Sequence, residues 1–388
     1  MNIGIAGPIK VSSLKDYLED LKDGDLELGL GGTAINILVK SLLEEGNKLT
    51  VFTLDPRVKE KYAIEGKNLK IIIGHFRTSN KKTLDFCYHE HTQIKRFIAE
   101  EKNNLDIVNA HWSYEYAIGA IRSGIPHVVT FRDNSPTILK LTKHPYRLTR
   151  LFMDFWVRKK ARAICYNSQY LKDRIKRPGL IIPNPLSNNS IHTKRTYPGE
   201  NHIFHIFFIA NGWNKIKNPE AAISGFNKLK NEIAQMQLHL VGQDYEKDGS
   251  NYKTAQKKFN LNDIHFHGKV SHELLLKMLH DCDILLHTSR EESFGNSLVE
   301  AMAQGIPVIG GKKSGAVPWL LNKGEAGLLV DVESPDEIFK ALKILITSQK
   351  EYEKYSEKGL ENVLQRFTPT TIAKQYLSLY NTSLKTGL

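Results

Sequence analysis

Apolar residues along this chain gather into short runs bounded by glycine, proline or polar residues, with helical-period segments between them. "NIGIA" (2–6) opens the chain; a long loop follows, then a predicted helix from about Thr33 to Glu45 that leads into "KLTVFTLD". "KIIIGHF", "DIVNAHW", "PHVVTFRD" and "AICYNS" read as further strands of the first half. The second half repeats the scheme: "IFHIFFIA" (203–210), the loop "NGWNKIKN", a helix opening at Pro219, then "QLHLVGQD", "IHFHGK", "DILLHTS" and "PVIGG". Asn218 suits the N-cap of the Pro219 helix, since proline is tolerated at the first helical position. Short β-rich runs alternating with helical segments predict parallel sheets covered by helices. The length of 388 residues allows two such cores. The expectation is an α/β protein with two Rossmann-like, doubly wound domains, 1–190 and 191–366, and a last helix within 367–388 crossing back to the first. The polar, proline-bearing stretch 183–201 marks the seam. Ligands of such folds sit at the C-terminal ends of the strands, so the expected site is the cleft between the two domains.

Composition adds a class and a compartment. Hydrophobic residues at 41% and charged residues at 25% are a globular balance. No apolar run approaches the ~18 residues a membrane span needs. "MNIGIAGPIK" has neither the basic start nor the apolar stretch of a secretory signal. The cysteines are Cys87, Cys165 and Cys282, unclustered and odd in number, which argues against a disulfide framework and a zinc site. A cytoplasmic protein is expected.

Charge changes the picture further. The net charge is +12, and residues 1–192 hold 30 Lys+Arg against 20 Asp+Glu. Residues 140–177 alone carry 12 basic and 2 acidic side chains. Inside that segment, Leu148, Leu151, Phe152, Phe155 and Trp156 recur at helical spacing. Arg147, Arg150, Arg158, Lys159, Lys160 and Arg162 flank them. Two readings stay open: the stripe packs inward and the charges solvate the face, or the segment docks on an anionic membrane, the inner face of the cell membrane being the expected place.

The most chemically specific stretch is "SREESFGNSLVEAMAQGIPVIGG" (289–311). It follows the strand "DILLHTS", so "REESFGN" should be a tight loop at a strand's C-terminal end, and "SLVEAMAQ" a helix stopped by Gly305 with Pro307 beyond. The backbone N–H groups of Gly295, Asn296 and Ser297 would then point outward as an anion site, helped by about half a positive charge at the helix N-terminus. Gly295 lets an anion approach the backbone closely. Glu300 could accept two hydrogen bonds from vicinal hydroxyls, and Glu292 could accept from another polyol. Phosphate between two hydroxyl-binding carboxylates describes a nucleotide sugar. The competing reading is a capping box formed by Ser297 and Glu300, which needs no ligand.

With these residues in view, the chain resembles the retaining glycosyltransferases of family 4, which have the GT-B fold. Glu292 and Glu300 match that family's Glu-x7-Glu signature. "GGTAINILVKSLLEEGNKLTVFT" resembles its N-terminal glycine loop, "DIVNAHW" the segment supplying an active-site histidine (His111), "IIPNP" the hinge approach, and "SGAVPWLLNKGEAGLLV" the loop and strand after the signature. The resemblance implies a metal-independent hexosyl- or N-acetylhexosaminyltransferase that needs no cofactor. Its donor would be a nucleotide sugar, UDP-linked by preference, and its acceptor a glycan, a lipid-linked molecule or another. By the same resemblance Glu300 binds the donor ribose, Glu292 contacts the donor sugar, and Phe294, Gly295 and Asn296 offer amides to sugar or phosphate. Gly32 and Thr33 let the other domain close on the diphosphate, and His111 positions the sugar. One departure stands out. The family usually carries an arginine and a lysine on the diphosphate; Lys217 falls at the lysine position, Gly212 where arginine is expected, and Lys215 is the candidate substitute.

Other signals are weaker. Gly29, Gly31, Gly32 and Ala34 fit a dinucleotide fingerprint with Asp55 behind them, but "KDGDLELGL" is a poor strand to precede it. Asp281 and Asp283 resemble an Asp-x-Asp metal site, yet precede a buried strand, where Asp283 would serve as an anchor. The rival functions are a GT-B epimerase, a phosphorylase and a nucleic-acid-binding module; no recognised nucleic-acid motif supports the last.

Overall fold

The computed structural model describes residues 1–187, 190–199 and 201–387, so positions 188, 189 and 200 of the predicted seam lie outside the described residues. The chain divides into two units. One holds Met1–Pro185 and the chain from Pro369 onward, the other Leu186–Thr368.

The first unit is built on strands β1 (Asn2–Ala6), β2 (Lys48–Asp55), β3 (Tyr62–Glu65), β4 (Leu69–His75), β5 (Ile107–His111), β6 (His127–Phe131), β7 (Ala163–Tyr166) and β8 (Leu180–Ile181). Its helices are α1 (Thr33–Glu44), α2 (Lys81–Leu84), α3 (Tyr88–Glu100), α4 (Glu115–Ser123), α5 (Ser135–Thr142), α6 (Pro145–Lys160) and α7 (Gln169–Ile175). The sheet runs β3-β4-β2-β1-β5-β6-β7-β8. It is parallel except at one edge, where β3 pairs antiparallel with β4. That edge strand corrects the purely parallel expectation: "YAIE" is short and half polar, so it carries no strand signal until β4 templates it. The inner strands are buried on both faces and read as nearly continuous apolar runs, as parallel strands between helices must.

The second unit holds β9 (Phe204–Ile209), β10 (Met236–Val241), β11 (Ile264–Gly268), β12 (Ile284–His287), β13 (Val308–Gly311) and β14 (Leu328–Val330). Its helices are α8 (Pro219–Lys230), α9 (Ser250–Gln256), α10 (His272–Met278), α11 (Asn296–Ala303), α12 (Val317–Leu320), α13 (Pro335–Thr347) and α14 (Gln349–Arg366). All six strands are parallel, in the order β11-β10-β9-β12-β13-β14. Phe226 of α8 and Ile338 and Leu342 of α13 fill one face of this sheet, while Leu298 and Met302 of α11 fill the other.

α15 (Pro369–Lys385) returns to the first unit. It buries Ile372, Tyr376 and Tyr380 there, and the Tyr380 hydroxyl accepts from Asn109 Nδ2 at 2.7 Å.

Each sheet has one place where strand order reverses: between β1 and β5 in the first unit and between β9 and β12 in the second. The chain leaves neighbouring strands in opposite directions there and opens a crevice at their C-terminal ends. Gly32, Thr33 and His111 sit at the first reversal. The loop after β9 and the glutamate loop after β12 sit at the second.

Candidate functional site

In the second unit the two loops are tied to each other. Arg290 N–H donates to Ile216 O at 2.7 Å, its guanidinium reaches Lys215 O, and it forks onto Glu333 at 2.5 and 2.8 Å. Thr288 Oγ1 donates to Asn218 O at 2.8 Å. Asn214 Oδ1 accepts from the N–H of Ile216 and of Lys217, at 2.9 and 3.1 Å, and so shapes the turn carrying both lysines. Asn218 holds the N-cap position as expected but in a left-handed conformation, with its amide turned to Val332 O at 2.8 Å. That corrects its role: it ties α8 to the turn after β14 rather than capping the helix with its side chain.

Glu292 lies at the meeting point. Its Oε2 is 3.1 Å from Lys217 Nζ and 3.5 Å from Nε2 of His287, the last residue of β12. Burial pushes the carboxyl up, but the His287 ring and the Lys217 ammonium outweigh it and hold Glu292 at about 2. Its backbone is clamped too, because Ala316 N–H donates to Glu292 O at 2.8 Å. Gly315, at φ +58°, packs so close that a Cβ there would stand 2.2 Å from that same oxygen. Glu292 is thus an anion at any moderate pH, fixed in side chain and backbone.

Gly295, at φ +107°, turns the chain into α11. The first amides to return into the helix are Leu298 and Val299, both to Gly295 O, at 3.2 and 3.4 Å. The amides of Asn296 and Ser297 therefore stand ahead of the helical ladder, at the positive end of its dipole. Ser297 lies inside the helix, and α11 has no side-chain cap. The capping-box reading fails for that reason. Glu300 instead accepts from His272 Nε2 at 2.8 Å, an interaction that raises the His272 pKa. The Phe294 side chain is buried beside Trp319 and Phe367, ring centroids 6.4 and 6.1 Å away, so it anchors the loop and only its backbone is available to a ligand. Lys215 is exposed on the neighbouring turn.

In the first unit, Gly32 is the left-handed N-cap of α1 at φ +106°, and a Cβ there would lie 2.0 Å from Pro8 O. No other residue fits. Thr33 is exposed at the helix start. Asp55 is consumed in holding this loop: it accepts from Gly29 N–H at 2.6 Å and from the Arg57 guanidinium at 2.9 and 2.6 Å. Its carboxylate has a structural task, which removes it as the acid of a dinucleotide fingerprint.

His111 ends β5, wholly buried. Its Nδ1 accepts from Arg132 Nε at 3.1 Å and Nη2 at 3.0 Å, and Arg132 is steadied by Asn184 Oδ1 at 2.5 Å. Burial and the Arg132 charge push the imidazole well below its ordinary pKa. With Nδ1 occupied as an acceptor, the proton sits on Nε2, which has no hydrogen-bond partner among the described residues. His111 is therefore a neutral N–H donor in want of an acceptor.

The Asp-x-Asp signal resolves structurally. Asp283 Oδ2 accepts from His205 N–H and faces His202 Nε2, each at 2.8 Å, anchoring β9 beside β12. Several site residues went unassigned from sequence. Arg132 and His287 end or follow strands and carried that much signal. His272 is joined to the site only by the folding of distant segments, and Arg290 stands in the glutamate loop itself but takes its role from bonds to the distant Ile216, Lys215 and Glu333.

Comparison with known proteins adds two family matches. Residues 31–186 match the family described as "Glycosyltransferase Family 4", and residues 194–362 the one described as "Glycosyl transferases group 1". Among curated relatives, the chain is 28% identical over 172 residues to the N-acetyl-alpha-D-glucosaminyl L-malate synthase of Bacillus anthracis, a match covering 43% of each chain. It is 26% identical over 413 residues to a probable sucrose-phosphate synthase of Thermosipho melanesiensis, covering 93% of each. Among solved structures, the sucrose-phosphate synthase from Thermosynechococcus elongatus aligns with a TM-score of 0.74 over 98% of both chains at 18% identity. HepE from Anabaena, in complex with UDP and glucose, aligns with a TM-score of 0.67 over 98% of this chain and 100% of that one, at 17% identity. These two likenesses establish the same two-domain fold.

Proposed function

We propose, for a chain that belongs to the family 4, group 1 glycosyltransferases of GT-B fold, transfer of a hexose or N-acetylhexosamine from a nucleotide sugar with retention of anomeric configuration. UDP is the preferred carrier, supported by the UDP complex of the Anabaena structural neighbour. The acceptor is a glycan, a lipid-linked molecule or another hydroxyl compound.

One observation carries this reading. Lys217, Glu292, Glu300 and the leading amides of α11 all come from the loops and helix at the β9/β12 reversal. Cation, oriented amides and hydroxyl-accepting carboxylates are the complement of a diphosphate joined to two polyols. In the proposed mechanism Glu300 takes the ribose hydroxyls, exchanging its His272 bond for them. The amides of Gly295, Asn296 and Ser297 and the charges of Lys217 and Lys215 receive the diphosphate. Glu292, already ionised, accepts from the donor sugar, and the Nε2–H of His111 donates to it. The departing phosphate oxygen takes the acceptor's proton as the new glycosidic bond forms on the face the phosphate leaves. A charged donor aimed at the developing diphosphate is worth ~3 kcal/mol, a hundredfold or more in rate.

The proposal includes catalysis without a metal: Asp283 is spent on strand anchoring, and the diphosphate charge is met by lysines and amides. Incubation with UDP-sugars and candidate acceptors, with the product's anomeric configuration read by NMR, tests it. A retained anomer formed at an unchanged rate in the presence of a chelator is expected. An inverted product, or activity abolished by the chelator and restored by Mn²⁺, contradicts it. Isomerised donor without acceptor would point to an epimerase instead.

A further inference from the structure

The helix α6 carries large apolar side chains on its outer face as well as apolar ones on its inner face. Its buried positions are Thr149, Arg150, Met153, Asp154 and Val157, while the bulkier Leu148, Phe152, Phe155 and Trp156 are 47%, 53%, 49% and 37% exposed. An ordinary surface helix turns its apolar stripe inward. Here polar bonds hold a second, larger apolar stripe outward. Arg150 pairs with Glu115, Arg158 Nη2 donates to Asn134 Oδ1 at 3.0 Å, and Thr149 Oγ1 donates to Thr83 O at 2.9 Å. Rolling α6 to hide the stripe would break all three.

The α2 turn extends the apolar surface. Leu84 is 83% exposed, and Phe86 lies edge-on to Phe152 with ring centroids 6.2 Å apart. Around this patch the charge is of one sign. Lys140 and Lys143 precede α6, Lys160 ends its last turn and Arg162 follows it, all exposed. Lys159 falls on the same helical face as Phe152 and Phe155, by its i+7 and i+4 spacing. The nearby acids are spent inside the protein, Asp154 on Arg158 and Asp85 on Arg77.

We propose that this face, the outward side of α6 with the α2 turn, docks the protein on an anionic lipid bilayer. A bilayer interface takes large apolar side chains just below its headgroups and cations at headgroup level, the arrangement α6 presents over its ~24 Å. A second copy of the chain is a poorer occupant. A two-fold contact would set this ring of lysines and arginine against itself. The inference does not depend on the catalytic reading, since it rests on exposure and charge alone.

The test is sedimentation of the full chain with vesicles of phosphatidylcholine alone and of phosphatidylcholine mixed with phosphatidylglycerol. Binding is expected only to the mixture and should fall about tenfold or more as salt rises. Phe152→Ser with Phe155→Ser should weaken it as strongly as Lys140→Glu, Lys143→Glu and Lys159→Glu combined. All five side chains are exposed, so thermal unfolding should not change. If a variant fails to fold, quenching of the wild-type tryptophan emission by brominated phosphatidylglycerol decides, because Trp156 lies on the patch. Four results overturn the proposal: no binding at low salt, equal binding to neutral vesicles, charge variants that bind unchanged, or a dimer that the Phe152/Phe155 variant dissolves.

Discussion

Glu292 and Glu300 are the same residue type eight positions apart, yet their surroundings set them to different work. Glu292 is pinned between Lys217 and His287 and held at about 2, whereas Glu300 shares a single bond with His272. Glu300→Gln should therefore cost little stability, lower the His272 pKa and raise the donor KM about tenfold, since a carboxylate accepting hydroxyl bonds contributes more than an amide. Unchanged KM with a marked loss of Tm would make Glu300 structural. Arg132 makes a second residue-scale prediction. Its two bonds and its charge keep His111 neutral with the proton on Nε2. Because the folded pKa is depressed, protonating His111 costs stability as pH falls below the ordinary value of about 6.5. Arg132→Gln should move that titration upward, visible in imidazole ¹⁵N shifts, and carry the acid limb of kcat upward with it. Unmoved ¹⁵N shifts would leave Arg132 a packing residue. The two glutamates, Lys217 and His111 were legible because each stands in a local pattern. Arg132 and His272 were not assigned, since the contacts that define them join distant segments; His287 contacts Glu292, its near neighbour in the chain, and only its place at the end of a strand marked it.

At the scale of elements, α11 illustrates how a local pattern misleads. Ser297 and Glu300 spell a capping box, but Gly295 adopts φ +107° and starts the helix two residues earlier. The backbone conformation that only glycine takes cheaply decided the cap. The loop from Lys312 to Gly315 makes the related case for position. Gly315→Ala would press a methyl onto Glu292 O at a left-handed φ, which should cost ~1–3 kcal/mol and push Glu292 out of place. Urea unfolding reads the first and donor affinity the second; a neutral outcome in both would show that the loop moves aside. For α6 the heptad-like stripe was visible in sequence, but which face turns inward was not. The buried Arg150–Glu115 ion pair oriented it, and together with the Asp154–Arg158 pair within the helix it removes Arg150 and Arg158 from the cations available to a partner.

For the whole molecule, two parallel-sheet units were legible from the alternation of apolar runs and helical segments. The antiparallel edge strand β3 was not, because its pairing is imposed by β4. The path of α15 has a stability consequence. Ending the chain at Thr368 would expose the sites of Ile372, Tyr376 and Tyr380 in the first unit, each worth ~1.5–3 kcal/mol of burial. The first unit should then melt well below the second, splitting one calorimetric transition into two; a single unshifted transition would mean α15 contributes nothing.

The central claim is that the β9/β12 reversal holds a nucleotide sugar through Lys217, the α11 amides and Glu300. Isothermal titration of UDP, and of UDP-sugars, into the wild type, Lys217→Ala and Glu300→Ala tests it without knowledge of the acceptor. Saturable one-to-one binding by the wild type is predicted. Each substitution should weaken it at least about tenfold, or ~1.4 kcal/mol, and Lys217→Ala should do so for free UDP as much as for the intact donor. Wild-type protein that binds no nucleotide sugar of any base, or variants that bind as tightly as wild type while folded, would contradict the account.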